Sequence, residues 1–276
     1  MNVHRCGTRL AQEFYGRLSD PDRPELHERV LIVAGHPDDE SIGIGAQLRR
    51  FSECSVVHVT DGSPKNPADA LAAGFSSATD YAQARRREVK EALALAGIPE
   101  THLHELRIRD QEASLKLVAL TEALARLLEE LKPDLVITHP YEGGHPDHDA
   151  AAFGVHAASA LIADPPEIIE MTSYHLRNGS MATSEFLPCE ESEIVTLSLQ
   201  FPEVRWKRRM FDCFATQRRV LDSFPIFVER FRQAPHYDFT RPPHEGRLFY
   251  EQFDFGMSGP RFRELACEAI AQLRAS

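Results

Sequence analysis

Apolar and polar positions along the chain alternate between short apolar runs and longer amphipathic stretches. Val30-Leu31-Ile32-Val33-Ala34 is continuously apolar, as expected of a strand buried on both faces of a parallel sheet. Residues 55–60, 103–108 and 134–138 read as the next three strands. The intervening segments carry helical signals. A helix is expected from the end of the first run through Phe51, and another over Asp80 to Ala96. The second has Ala82, Val89, Leu93 and Ala96 at near-helical spacing and Gly97 as a C-terminal cap. Ala113 to Leu131 is amphipathic, and an alanine-rich helix runs to about Ala163. Strands alternating with helices of this length predict βαβ units, and the right-handed crossover rule puts helices on both faces. The expected fold is α/β, a Rossmann-like three-layer sandwich with a central, mainly parallel sheet and a C-terminal elaboration.

The pattern divides the chain into a polar lead-in (1–28, with a helix from Arg9 to Leu18), a core (29–165) and a C-terminal part of the same domain (166–276). Past Pro165 the signals weaken. Residues 167–174 and 194–199 read as strands, antiparallel ones, 204–220 as a helix, and 231–250 as a loop-rich stretch. His236, Tyr237, Arg241 and His244 in that stretch are too polar for a core and suit a pocket wall or a homo-oligomer contact.

Composition narrows the class. Net charge is −11, from 42 acidic and 31 basic residues, the opposite of a chain that tracks phosphate backbones, so nucleic acid is not an expected partner. The five cysteines form no CxxC and no disulfide framework. No apolar run approaches the ~18 residues that span a bilayer, and the first residues lack the apolar region of a signal peptide. A cytoplasmic protein without a membrane span is expected.

Two short segments, each directly after an apolar strand, hold the candidate chemistry. These are Gly35-His36-Pro37-Asp38-Asp39-Glu40 and Gly143-Gly144-His145-Pro146-Asp147-His148-Asp149. Ligands of open α/β sheets bind at the carboxyl ends of strands, where both segments fall. Imidazole and carboxylate suit zinc, and a catalytic zinc takes three protein ligands plus an open position. His36 and Asp39, three residues apart, can point to one side of a turn, and His148 completes a His-Asp-His set. Asp38 is then free to accept a proton from water activated by the metal. His145, as imidazolium, would stabilise an oxyanion and protonate the leaving amine. Asp147 would hold an imidazole in orientation.

These segments resemble the A-H-P-D-D-E and H-P-D-H motifs of the LmbE-like (PIG-L type) zinc-dependent N-acetylglucosaminyl deacetylases, with Gly35 as one extra residue in the first. The resemblance covers about residues 29–160. It implies the same ligands (His36, Asp39, His148), Asp38 as base and His145 as electrophile or acid. It also implies hydrolysis of an N-acetyl amide on a small sugar-like substrate, with Arg85 and Asp110 near the positions that contact the sugar. The same metal core would serve an amidase acting on a non-sugar amide or thiol conjugate, and iron(II) fits the same ligand set. A metal-binding module without activity is the reading of a different class. Arg85, Arg86 and Arg87 otherwise read as a solvated helix face, as do Arg205, Lys207, Arg208 and Arg209 beside Trp206.

Overall fold

The structure, a computed structural model, describes residues 8–275. Residues 1–7 of the expected lead-in lie outside the described residues. Helix α1 (Arg9–Ser19) starts where the Thr8 hydroxyl accepts from the Ala11 N–H. Strand β1 (Leu26–Ala34) leads into the short helix α2 (Asp39–Ile44), then β2 (Phe51–Thr60). Helices α3 (Ala68–Ala72) and α4 (Ala78–Leu95) precede β3 (Leu103–Ile108). Next come α5 (Leu117–Leu131), β4 (Leu135–Thr138), α6 (Pro146–Leu161) and β5 (Glu167–Met171). The remainder comprises a hairpin of β6 (Tyr174–Arg177) and β7 (Ser180–Thr183), β8 (Ile194–Ser198), α7 (Phe201–Phe211), α8 (Arg218–Leu221), β9 (Val228–Gln233) and α9 (Gly259–Ala275).

The main sheet has seven strands in the order β3-β2-β1-β4-β5-β9-β8. The first five run parallel, whereas β9 pairs antiparallel with both β5 and β8. Period-two alternation sorts each buried strand between two cores. Val30 and Ile32 of β1 and Leu135 and Ile137 of β4 join one core with residues of α1, α4 and α7. Leu31, Val33 and Val136 join the other with residues of α5, α6 and α9. Helices therefore cover both faces, and the three-layer sandwich is as the pattern predicts.

Several boundaries and environments differ from expectation. Helix α2 stops at Ile44, not Phe51, and Phe51 opens β2. Within α2, Gly43 lets the helix press onto the sheet, since a Cβ there would sit 2.4 Å from Met171 Sδ of β5. Strand β5 is parallel, not antiparallel, because it docks on β4 through register pairs from Leu135–Glu167 to Thr138–Glu170. Helix α7 ends at Phe211, and part of the expected loop at 231–250 belongs to β9. Lys207 is not on a solvated face. It is fully buried, with Nζ donating to Glu229 Oε1 at 2.8 Å and to the Ile42 carbonyl at 2.6 Å.

This order has one topological switch point, between β1 and β4, where successive strands are added on opposite sides. Crevices form there at the carboxyl ends of the strands. Both histidine-rich segments leave the sheet at that point, one after β1 and one after β4.

Candidate active site

His36 and Asp39 come from the turn between β1 and α2, and His148 from the first turn of α6. Three of their atoms meet. His36 Nδ1 lies 3.1 Å from His148 Nε2, His36 Nδ1 lies 3.2 Å from Asp39 Oδ2, and His148 Nε2 lies 3.2 Å from the same oxygen. All three side chains are buried.

The other nitrogens of the two rings are committed elsewhere. His148 Nδ1 is 3.2 Å from the Ser173 hydroxyl, and His36 Nε2 is 3.2 Å from Asp110 Oδ1 and 3.3 Å from Asp147 Oδ2. A proton on His36 Nε2, towards the two carboxylates, leaves its Nδ1 for a metal, and a proton on His148 Nδ1, donated to the Ser173 hydroxyl, leaves its Nε2. In that tautomer three acceptors converge on one point, an arrangement that a cation, whether a metal ion or a proton on His36, relieves. Tetrahedral zinc with bonds of about 2.0 Å sets its ligand atoms about 3.3 Å apart. The observed spacing fits a metal of that size.

Three other buried combinations could also hold a metal: Asp39, His139 and His148; His36, Asp110, His145 and Asp147; or His36, His145 and His148. The first competes less well, because the Gly35 N–H donates to His139 Nε2 at 3.0 Å and occupies that lone pair. In the second, both Asp147 oxygens already accept backbone N–H groups, from Gln111 at 2.6 Å and Ala113 at 3.0 Å, whereas Asp39 accepts one, from His36 to Oδ2 at 2.8 Å. Against the opposing effect of burial, Asp110, Asp147 and Asp39 hold the His36 imidazole well above its usual pKa range. The same surroundings attract a cation.

Asp38 sits beside this trio. Burial pushes its carboxyl up to about 6, partly offset by Arg85, whose Nη2 donates to Asp38 Oδ2 at 2.9 Å. Arg85 is buried, not solvated, and its Nη1 also donates to the Gly62 carbonyl at 2.7 Å. Arg87 alone of the arginine run faces out fully. Asp110 turns its carboxylate towards His36, and His145 Nε2 lies 3.9 Å from the same oxygen.

His145 is the N-cap of α6, with the Asp147 N–H donating to its Nδ1 at 3.2 Å. A ring that accepts at Nδ1 is neutral and carries its proton on Nε2. Burial also pushes His145 down to about 3. The expected imidazolium is therefore replaced by a neutral N–H donor. Asp147 holds His36 and not His145, from whose Nδ1 it stands 3.8 Å away.

Three neighbours had not been singled out from the sequence. The His139 ring stacks on His148 with centroids 3.9 Å apart, Ser173 fixes His148, and the Tyr174 ring meets His148 at 5.3 Å. His139 was open to discovery, since it directly follows β4 at a strand's carboxyl end. Ser173 and Tyr174 lie past Pro165, where the pattern is weak. From the same C-terminal part, Phe255 packs against His145 at 5.1 Å.

Known proteins are similar to this chain in sequence and in fold. The pattern of the family described as "PIG-L: GlcNAc-PI de-N-acetylase" matches residues 31–159. A diacetylchitobiose deacetylase of Thermococcus kodakarensis is 28% identical over 203 residues, covering 65% of this chain and 73% of the relative. A 1D-myo-inositol 2-acetamido-2-deoxy-alpha-D-glucopyranoside deacetylase of Saccharopolyspora erythraea is 31% identical over 165 residues, covering 51% of this chain and 60% of the relative. Among solved structures, a deacetylase from the biosynthesis pathway of teicoplanin superimposes with a TM-score of 0.60 at 17% identity. That superposition covers 76% of this chain and 99% of the other, a likeness of fold. Residues 31–159, with both histidine-rich segments, thus form a domain of the PIG-L (LmbE-like) family.

Proposed function

We propose that this chain is a metal-dependent N-deacetylase that hydrolyses the N-acetyl amide of an amino sugar or sugar conjugate to acetate and a free amine. The observation that carries the proposal is the convergence of His36 Nδ1, Asp39 Oδ2 and His148 Nε2 at 3.1–3.2 Å beside a separate buried carboxylate, Asp38. The deacetylase names of the relatives support it independently.

A metal held by those three residues, zinc by the donor set and spacing, supplies Lewis acidity and lowers the pKa of water towards ~7. The chain's own residues do the rest. Asp38, ionised and held by Arg85, accepts the proton of the attacking water. His145 Nε2–H donates to the acyl oxygen as negative charge gathers there, and a neutral donor suffices for that. The C–N bond then breaks, and Asp38 returns the proton it took to the departing nitrogen. Asp147 and Asp110 hold His36 in the tautomer that frees Nδ1. In this reading Arg85 acts through Asp38, and its contact with a sugar is not needed.

Replacing Asp38 with Asn tests the role directly. Loss of a general base lowers turnover by about 10²–10⁴-fold, while metal content stays near that of the unmodified protein because the three ligands are untouched. A variant with full turnover removes Asp38 as the base.

A further inference from the structure

A cavity of about 370 Å³ opens beside Pro37, in the loop that carries the catalytic cluster. Thr60, Asp61 and Ser63 at the end of β2 line it, as do Arg86 of α4 and Glu105, Arg107 and Arg109 at the end of β3. The mechanism above uses none of these side chains.

The charge balance is unusual for a chain of net charge −11. Arg86 holds Glu105 through both carboxylate oxygens, Nε to Oε1 at 2.8 Å and Nη2 to Oε2 at 2.7 Å. Arg107 shares Oε2 at 3.4 Å, so one carboxylate faces two guanidiniums. Arg109 makes no ion pair within 4.0 Å among the described residues, and Asp61 is an acid that feels its charge. Asp61, the remaining acid, spends one oxygen accepting the Ser63 and Asp110 N–H groups, at 2.9 and 3.2 Å.

The backbone supplies a second, independent observation. Between the pairs His58–Glu105 and Thr60–Ile108, β3 has one residue more than β2, a bulge in a parallel pair, where bulges are rare. Arg107 sits in that bulge with φ 54°, the left-handed region that glycine takes freely and other residues avoid. Backbone strain of this kind clusters at ligand sites, and here it falls on an arginine that lines the cavity. The bulge turns it onto the cavity rim.

Building on the deacetylase reading, we propose that this cavity binds an anionic group, carboxylate or phosphate, on the moiety joined to the amino sugar, with Arg107 and Arg109 as its contacts. Amino-sugar conjugates with a charged substituent are then the preferred substrates over neutral ones. Guanidiniums suit both anions through paired hydrogen bonds.

The test compares amine release from the methyl glycoside of N-acetylglucosamine, its carboxymethyl glycoside and N-acetylglucosamine 1-phosphate, using the full metal-loaded chain. The anionic compounds should exceed the methyl glycoside in kcat/KM by about tenfold or more, mostly through KM. In Arg109→Ala and Arg107→Gly that ratio should collapse towards one. The larger of the two anionic advantages identifies the charge class. Calorimetric binding of N-acetylglucosamine 1-phosphate to the same proteins reads the cavity without turnover and should weaken about tenfold in the variants. Glycine tolerates the backbone of residue 107, so Arg107→Gly should not lower Tm; a clear fall would overturn the assignment of Arg107 as a ligand contact. Equal kcat/KM for neutral and anionic compounds, or an advantage that survives both substitutions, overturns the proposal while the deacetylase reading stands. Absence of amine release from all three contradicts that reading for these sugars, and the calorimetry then decides the cavity alone.

Discussion

Asp38 and Arg85 show how the work of one residue is set by another that is remote in sequence. Burial raises the Asp38 carboxyl to about 6, and Arg85 draws it back down. A base must be ionised, so activity falls as pH drops through the pKa of the base. Arg85→Met removes the lowering influence, raises that pKa, and should move the acid limb of the kcat/KM profile up by about one pH unit or more. Turnover is partly regained at higher pH, and a limb that stays in place contradicts the pairing. The convergence of His36, Asp39 and His148 was legible because two short motifs each place them after an apolar strand. The partners of Arg85 were not, since three successive arginines on a helix carry no sign of which one turns inward. The same holds for His145. Its residue type was readable, but its neutral tautomer depends on the Asp147 N–H, which only the helix start positions. Gly35 gains its reason only in three dimensions: a Cβ there would lie 2.8 Å from His148 Cδ2, within the ligand cluster.

At the level of elements, strands buried on both faces were readable as unbroken apolar runs, and β3 begins and ends at the expected residues. Elements whose fate depends on distant partners were less so. Lys207 is the clearest case. On α7 it looks like one charge among several, but Glu229 of β9 and the last turn of α2 enclose it. Glu229 also accepts the Ala46 N–H at 2.9 Å and a Gln47 amide N–H at 3.2 Å. This knot ties three elements beneath the site-bearing turn. Removing one partner of a buried pair leaves an uncompensated charge and costs about 3–5 kcal/mol. Lys207→Ala should therefore lower the urea midpoint strongly, and a loss below about 1 kcal/mol would show that the pair adds little.

For the molecule as a whole, the C-terminal part is woven into the fold that the first strands begin. Strands β5, β9 and β8 complete one side of the sheet, and Phe262, Ala266 and Ala269 of α9 fill the core shared with α5 and α6. Leu248 presses on Gly143, where a Cβ would lie 2.7 Å from its Cδ2, so this part also shapes the loop that carries His145. We expect the full chain to melt in a single transition and a fragment ending at 165 to lack cooperative unfolding, as read by calorimetry and circular dichroism. A fragment that melts cooperatively would make the first 165 residues a self-sufficient unit. The sequence placed both histidine-rich segments at the carboxyl ends of strands, whereas the switch point between β1 and β4 follows from the strand order of the folded sheet. The sequence left the remaining strands uncertain because their pairing is set by contacts across the sheet and not by local pattern.

The most direct test of the central claim measures bound metal and amine release on one preparation, with N-acetylglucosamine derivatives as substrates and with a chelator as control. The account predicts about one zinc per chain, loss of both zinc and amine release on chelation, and return of both when zinc is restored. Zinc binding should also fail in His36→Ala and His148→Ala. Amine release that persists in a metal-free protein, or metal retained after both histidines are removed, would contradict it.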